Sequence, residues 1–188
     1  RVDKIHQPAR ETIVIAMRAQ AGNHKLLVSA SASNPRLHFT TLPQDNPKSP
    51  PMFCMLMRKH LTGAKLVSIT QAGLDRVLHL HFETANELGD RVVLTLAVEI
   101  MGRHSNIILV GPDGRVVDAV KRVSDEMSSV RPVLPGMAYT HVPAQDRLNI
   151  YTAAPSEIVA RLRAGKDAEL SKALLGALEG MSPLVCRE

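Results

Sequence analysis

GLDRVLHLHFETANELGDRVVLTLAVEIMGRHSN, residues 73–106, decides the fold, because it holds two β-runs separated by a polar loop. Side chains alternate sides along a strand, so over residues 75–84 Arg76, Leu78, Leu80 and Phe82 share one face, with Asp75, Val77, His79, His81 and Glu83 on the other. That is the pattern of a half-buried strand. Over residues 91–99, Val92, Leu94, Leu96 and Val98 lie on one side and Val93, Thr95 and Ala97 on the other. Both faces are largely apolar, the mark of a central strand. Between the runs, Asn86, Gly89 and Asp90 tolerate the turn conformations that antiparallel neighbours need, so the pair forms a hairpin. Centring the loop between Glu87 and Leu88 sets Thr84 opposite Arg91 and Arg76 roughly opposite Glu99, with loop geometry fixing the final register. The polar ends LDR (74–76) and EIMGRHSN (99–106) therefore meet in space.

Working outward, residues 65–71 read as a strand with Leu66 or Val67 inward. Ser49, Pro50 and Pro51 read as a helix start, and Gly63 as its end. On that helix Phe53, Leu56, Met57, His60 and Leu61 share a face, Cys54 and Met55 widen it, and Arg58 and Lys59 point away. Residues 34–51, rich in Pro, Asn and Asp, are expected to be an irregular excursion. Residues 11–19 and 25–31 form a second hairpin across a turn at 21–24, and residues 1–7 a short edge strand ended by Pro8. On the far side, residues 107–110 and 115–123 flank GPDG, where Pro112 presets φ and Gly114 accepts left-handed backbone. Residues 124–135 read as a loop folding back over a sheet edge, and residues 136–150 as a further loop. Beyond Tyr151, Pro155 and Ser156 open a helix running through Arg163, and Gly165 interrupts it. Residues 167–178 give a second helix with Leu170, Leu174 and Leu178 on one face, ended by Gly180 and Pro183. The expected class is α+β, mainly antiparallel β, with about eight strands and one packed helix. It divides into residues 1–150 and a helical segment, residues 151–188.

Aromatic residues make up 3% of the chain and Trp is absent, so the core rests on Val, Leu, Ile, Met and Ala, and few rings are available to stack on bases. A net charge of +5 favours a polyanionic partner. Cys54 and Cys186 form no CxxC pair, which points to reduced thiols in an intracellular protein rather than a disulfide framework or zinc site. No apolar run reaches the roughly 18 residues of a membrane span, and no leader is visible. Arg1 is not an initiator Met, so a fragment without its true N-terminus is expected.

His79, His81 and Glu83 have the spacing of metal ligands on one strand face, but no second ligand cluster joins them, and a solvated strand face is the expectation. Ser105, His104 and Asp75 or Asp118 could be recruited to a hydrolase, yet GxSxG, GxGxxG and Walker A signatures are all missing. No catalytic residue, metal or cofactor is therefore expected. Arg76 falls on the face of Leu78, Leu80 and Phe82, an odd place for a surface charge. With Glu99, Met101, Arg103, His104 and Asn106 at the same end, it offers donors and acceptors suited to base edges and phosphates.

PPMFCMLMRKHLTGAKL (50–66), LDR (74–76), EIMGRHSNIILV (99–110) and VLPGMAY (133–139) resemble, in order and over nearly the whole chain, the NFACT-N domain of the RqcH/NEMF family, whose bacterial members were long named fibronectin-binding protein A. GMSPLVCRE (180–188) resembles the start of that family's helix-hairpin-helix segment. The resemblance implies a cytoplasmic factor of ribosome-associated quality control. Such a factor binds a large ribosomal subunit obstructed by peptidyl-tRNA, recruits alanine-accepting tRNA and supports alanine tailing without mRNA. It implies that Asp75 and Arg76 are needed for tRNA recognition, and that Glu99, Ile100, Met101 and Arg103 lie with them at the anticodon arm. A fold similar to the N-terminal domain of formamidopyrimidine-type DNA glycosylases is also implied, without their N-terminal proline nucleophile. Further family segments, including the ribosome-anchoring ones, are expected before Arg1 and after Glu188. A monomer with no membrane partner is expected. A fibronectin-binding surface adhesin and a glycosylase-like DNA-binding domain are the alternatives.

Overall fold

The computed structural model describes residues 1–124, 126–128, 131–143, 146–165 and 169–188. The chain forms two units, one of Arg1–Thr70 with Arg76–Thr140 and one of Gln71–Asp75 with His141–Glu188.

The fold is α+β and mainly antiparallel. One sheet holds β1 (Val2–Ala9), β2 (Thr12–Ala19), β3 (Gly22–Ser29) and β4 (Arg36–Phe39) in that order. After α1 (Met52–Leu61), a second sheet runs β5 (Lys65–Gln71), β6 (Val77–Ala85), β7 (Arg91–Glu99), β8 (Asn106–Val110) and β9 (Val116–Ala119). Each strand lies beside its chain neighbour, as short turns between alternating runs dictate. Ile13, Ile15, Leu26 and Val28 of the first sheet share one core with Leu80, Phe82, Leu94, Leu96 and Leu109 of the second and with Phe53, Cys54, Met57 and Leu61 of α1. Lys121 adds a polar tie, its Nζ donating to Ala30 O at 2.7 Å and standing 3.5 Å from Glu11.

The central hairpin forms as read, with β7 between β6 and β8. Its register is one residue from the symmetric placement: Ala85 faces Arg91 and Val77 faces Glu99. The cause is Asn86, whose Oδ1 accepts the N–H groups of Leu88 (3.0 Å) and Asp90 (2.8 Å) and so closes the loop just after Ala85. Gly89, at φ +86°, supplies the left-handed step.

Five local expectations are corrected. Residues 36–39 are a strand rather than part of an irregular excursion, because pairing with β3 rewards a segment whose own pattern is weak, and the strands number nine among the described residues. Helix α1 begins at Met52 with Pro51 as its N-cap and no side-chain cap, so Ser49 does not cap it. Arg58 does not point away: its Nε donates to Ile5 O at 2.7 Å, whereas Met55 is 50% exposed. The first turn is at residues 20–21, since Ala19 already pairs with Gly22. Strand β1 continues past Pro8 to Ala9, where a register irregularity on an edge strand accommodates the missing N–H.

In the second unit, α2 (Pro155–Ala164) starts with proline in its first turn, and the Glu157 carboxylate accepts the Ala154 N–H at 3.0 Å. Helix α3 (Leu170–Ala177) is followed by Leu178, which is 3% exposed, while Leu170 faces solvent at 65% and leaves the expected apolar face incomplete. Backbone bonds Leu148 N–H to Ala177 O (2.8 Å) and Glu179 N–H to Leu148 O (2.9 Å) tie the preceding loop to α3. Gly180 sits at φ +71°, and a Cβ there would stand 3.0 Å from Leu74. The expected helix start at Asp167, and Asp125, Ser129, Val130, Ala144 and Gln145 of the two expected loops, lie outside the described residues. No described helix is long and apolar enough to cross a membrane.

Asp118, 3% exposed on β9, accepts two bonds from Arg122 (2.8 and 2.9 Å) and the Ala119 N–H (2.8 Å). Burial pushes its carboxyl up, but Arg122 and the Ala119 N–H outweigh that and hold it below the ordinary carboxylate range. A depressed folded-state pKa stabilises the fold above the unfolded value, and that contribution is lost as pH falls through the folded value. Because Arg122 is 56% exposed and screened by solvent, Asp118→Asn is expected to cost only about 1–2 kcal/mol at pH 7. The gap to wild type should begin to narrow as pH falls below about 4 and close once it is below the folded value, as urea melts over that range would read. A constant gap would refute the linkage.

Candidate functional site

Strand β7 delivers the chain from the core into the polar loop at residues 99–106. Glu99, opposite Val77, is 1% exposed, so its charge must be matched inside the protein. Arg131 does so with two parallel bonds, Nη1 to Oε2 at 2.9 Å and Nη2 to Oε1 at 2.5 Å. Tyr139 donates its hydroxyl to Oε1 at 3.1 Å. The guanidinium lies 5.3 Å from the Tyr139 ring centroid, and its Nε donates to Thr140 O at 2.8 Å. Burial and then the Glu99 charge push the Tyr139 phenol well above its ordinary range, so it remains a donor. His79, 9% exposed, meets that hydroxyl through Nε2 at 3.2 Å.

The far end of the loop is fixed by Asn106, which is 3% exposed. Its Oδ1 accepts the N–H groups of Ile107 (2.9 Å) and Lys121 (3.0 Å), and its Nδ2 donates to Lys121 O at 2.8 Å. Between these anchors Gly102, at φ +56°, opens a single 3-10 turn, Gly102–His104. Ser105 is fully buried, and its Oγ accepts the Met101 N–H at 2.8 Å. With the His104 and Ser105 N–H groups bonded to Met101 O and Gly102 O at 3.1 Å, Arg103 and His104 are presented to solvent and Ile100 and Met101 are half-buried.

Of the residues singled out from sequence, the β6–β7 pairing brings Arg76 to the loop: its carbonyl accepts the Ile100 N–H at 2.8 Å, and its side chain is exposed. Met101 and Arg103 follow within the same loop. Glu99 differs in kind, because it is enclosed and saturated by Arg131 and Tyr139. Asp75 belongs to the turn at residues 72–75, where its N–H donates to Ala72 O at 3.0 Å, its carbonyl accepts Gln71 Nε2 at 2.6 Å, and its side chain is exposed.

The facing row of His79, His81 and Glu83 is not a solvated strand face. The chain around Val133 and Tyr139 packs over that end of the sheet, against Ala97, Ile108, Val110 and Val116, and encloses His79. His81 is held between Thr95 Oγ1 (3.0 Å) and Thr70 Oγ1 (3.1 Å). Among the described residues no group of three or more His, Cys, Asp or Glu is placed to hold a metal. Ser105 Oγ accepts the Met101 N–H, and the Asp118 carboxylate is held by Arg122. Sequence reading passed over Arg131, Ser105 and Lys121 as parts of the loop's support. A carboxylate at the end of an apolar central strand was the available signal, since it demands a buried cation somewhere.

Residues 1–188 match the family described as NFACT N-terminal and middle domains. The chain is 43% identical over 189 residues to the Rqc2 homolog RqcH of Bacillus subtilis, an alignment covering 100% of this chain and 33% of that protein. It therefore spans about a third of that relative's length. Among solved structures, the N-terminal part of the fibronectin/fibrinogen-binding protein from Streptococcus suis superposes with a TM-score of 0.88 at 37% identity, covering 99% of this chain and 69% of that one. The N-terminal domain of fibronectin-binding protein PavA from Streptococcus pneumoniae gives 0.88 at 33% identity, with the same 99% and 69% coverage. A match along its full length, added to the fold and the two-ended anchoring of the EIMGRHSN loop, means that this chain belongs to the family of NFACT N-terminal and middle domains.

Proposed function

We propose that this chain is the tRNA-contacting part of a ribosome quality-control factor that acts on obstructed large subunits carrying peptidyl-tRNA and recruits alanine-accepting tRNA for alanine tailing. The observation that carries this reading is the loop of residues 99–106, which holds an exposed Arg103 and His104 on a backbone fixed at both ends, beside the exposed Arg76. Relatives named as Rqc2 homologues support the ribosomal setting. Arg76 and Arg103 supply planar forks for phosphate oxygens or base edges, and Asp75 supplies an acceptor for base amino groups. Met101 and Ile100 offer apolar surface to the same ligand. Glu99 acts as a positioning residue, aiming the loop through Arg131 rather than touching RNA.

Asp75→Ala with Arg76→Ala, introduced into the full-length protein, is expected to reduce recovered tRNA by about 5- to 150-fold, equivalent to roughly 1–3 kcal/mol, with thermal unfolding unchanged. Sequencing of the copurifying RNA reads the outcome. Unchanged tRNA recovery would sink the assignment. Retention on immobilised fibronectin by a protein that recovers no tRNA would favour an adhesin instead.

A further inference from the structure

The outer face of the first sheet carries a groove that the proposed tRNA corner does not use. Strand register places Ala16 of β2 directly between Lys4 of β1 and Lys25 of β3. The neighbouring row sets Val14 between His6 and Leu27. All of these lie on the side opposite Ile5, Ile13, Ile15, Leu26 and Val28, which fill the core. The short side chains of Ala16 and Val14 leave a depression of about 390 Å³, bordered by Leu42, Gln44 and Asn46 and lined by Lys4, His6, Arg18 and Lys25.

Its charge is one-sided. Lys4, Arg18 and Lys25 face a single carboxylate, Asp3, which pairs with Arg18 at 3.0 Å, so the lining carries a net +2 with histidines neutral. Lys4 and Lys25 are exposed and, among the described residues, meet no acidic side chain. Burial and then the charges of Arg58, Lys4 and Lys25 hold the His6 imidazole below its ordinary pKa, as a positive surrounding requires.

The two free lysines stand two strand spacings apart, roughly 10 Å, across a small apolar floor. Flexible lysine side chains that far apart can reach two phosphates of one chain, and the small floor leaves room for the sugar between them. Among the described residues the rings lining the groove are the imidazoles of His6 and His24, with no Phe, Tyr or Trp, so it offers little platform for stacking bases. We infer that the outer face of β1–β3 is a second, sequence-tolerant site for the phosphate backbone of single-stranded RNA, held by Lys4 and Lys25. The site stands independently of the Arg76 and Arg103 reading.

The test titrates the protein with fluorescent oligouridylate between about 0.05 and 0.2 M salt. Lys4→Ala/Lys25→Ala removes two phosphate contacts, each worth a slope of about 0.7 for a single strand. Binding should therefore weaken about 25-fold at 0.1 M salt, and the plot of log affinity against log salt should become shallower by about 1.4. Met101→Ala/Arg103→Ala should leave that difference intact, which separates failure of this site from failure of the tRNA corner. No binding of oligouridylate by the wild type, or an unchanged slope in the lysine variant, would overturn the proposal. So would equal competition by inorganic phosphate or by an oligoglutamate peptide at matched ionic strength.

Discussion

Arg131→Ala is expected to destabilise the first unit by about 3–5 kcal/mol, because it strands a buried carboxylate rather than merely deleting a contact. Glu99 is 1% exposed and Arg131 13%, so solvent cannot replace the lost guanidinium. Tyr139 still donates to Oε1, but one neutral donor does not offset a full charge. The loss should appear as a lower urea midpoint with an unchanged slope. A change below about 1 kcal/mol would show that water reaches Glu99 and that the pair is not enclosed. Replacing the set together, Glu99→Leu with Arg131→Met and Tyr139→Phe, should recover most of the loss, since apolar substitutes remove the need for pairing. Weakened RNA binding in the Arg131→Ala protein, under conditions where it is still folded, is the functional counterpart of Glu99 acting as a positioning residue.

Phe82→Ala should cost about 3–5 kcal/mol through the cavity it leaves. Phe82 is fully buried on β6, facing Leu94 of β7, and is among the largest side chains sealed in the core. With aromatics at 3% of the sequence and Phe39 66% exposed, aliphatic neighbours cannot fill that volume without leaving their rotamers. Phe82→Leu, which keeps much of the volume, should lose clearly less. Chemical denaturation of both variants reads the difference, and equal losses would contradict a cavity origin.

The hairpin of β6 and β7 was legible in the sequence because strict alternation and the Asn86–Gly89–Asp90 chemistry agree with each other. Its last residue of register was not, since one side-chain acceptor, Asn86 Oδ1, sets where the loop closes. Strand β4 was hidden because four residues acquire a strand conformation from β3 rather than from their own periodicity. The corner itself was visible as a crowd of polar residues on a strand end. The division of labour within it was not, because the partner of Glu99 lies 32 residues further on, beyond the reach of any local pattern. His79 was misread for the same reason: Tyr139, which covers it, lies 60 residues away in the chain.

The two anchors of the loop also bear on kinetics. Glu99 and Asn106 hold its ends before any ligand arrives, and Ser105 fixes its middle. On the proposed reading, a tRNA meeting this surface encounters a shape already set, so no ordering step precedes productive contact. Association is then governed by diffusion and charge steering, while differences between cognate and non-cognate RNAs are expressed as lifetimes of the complex.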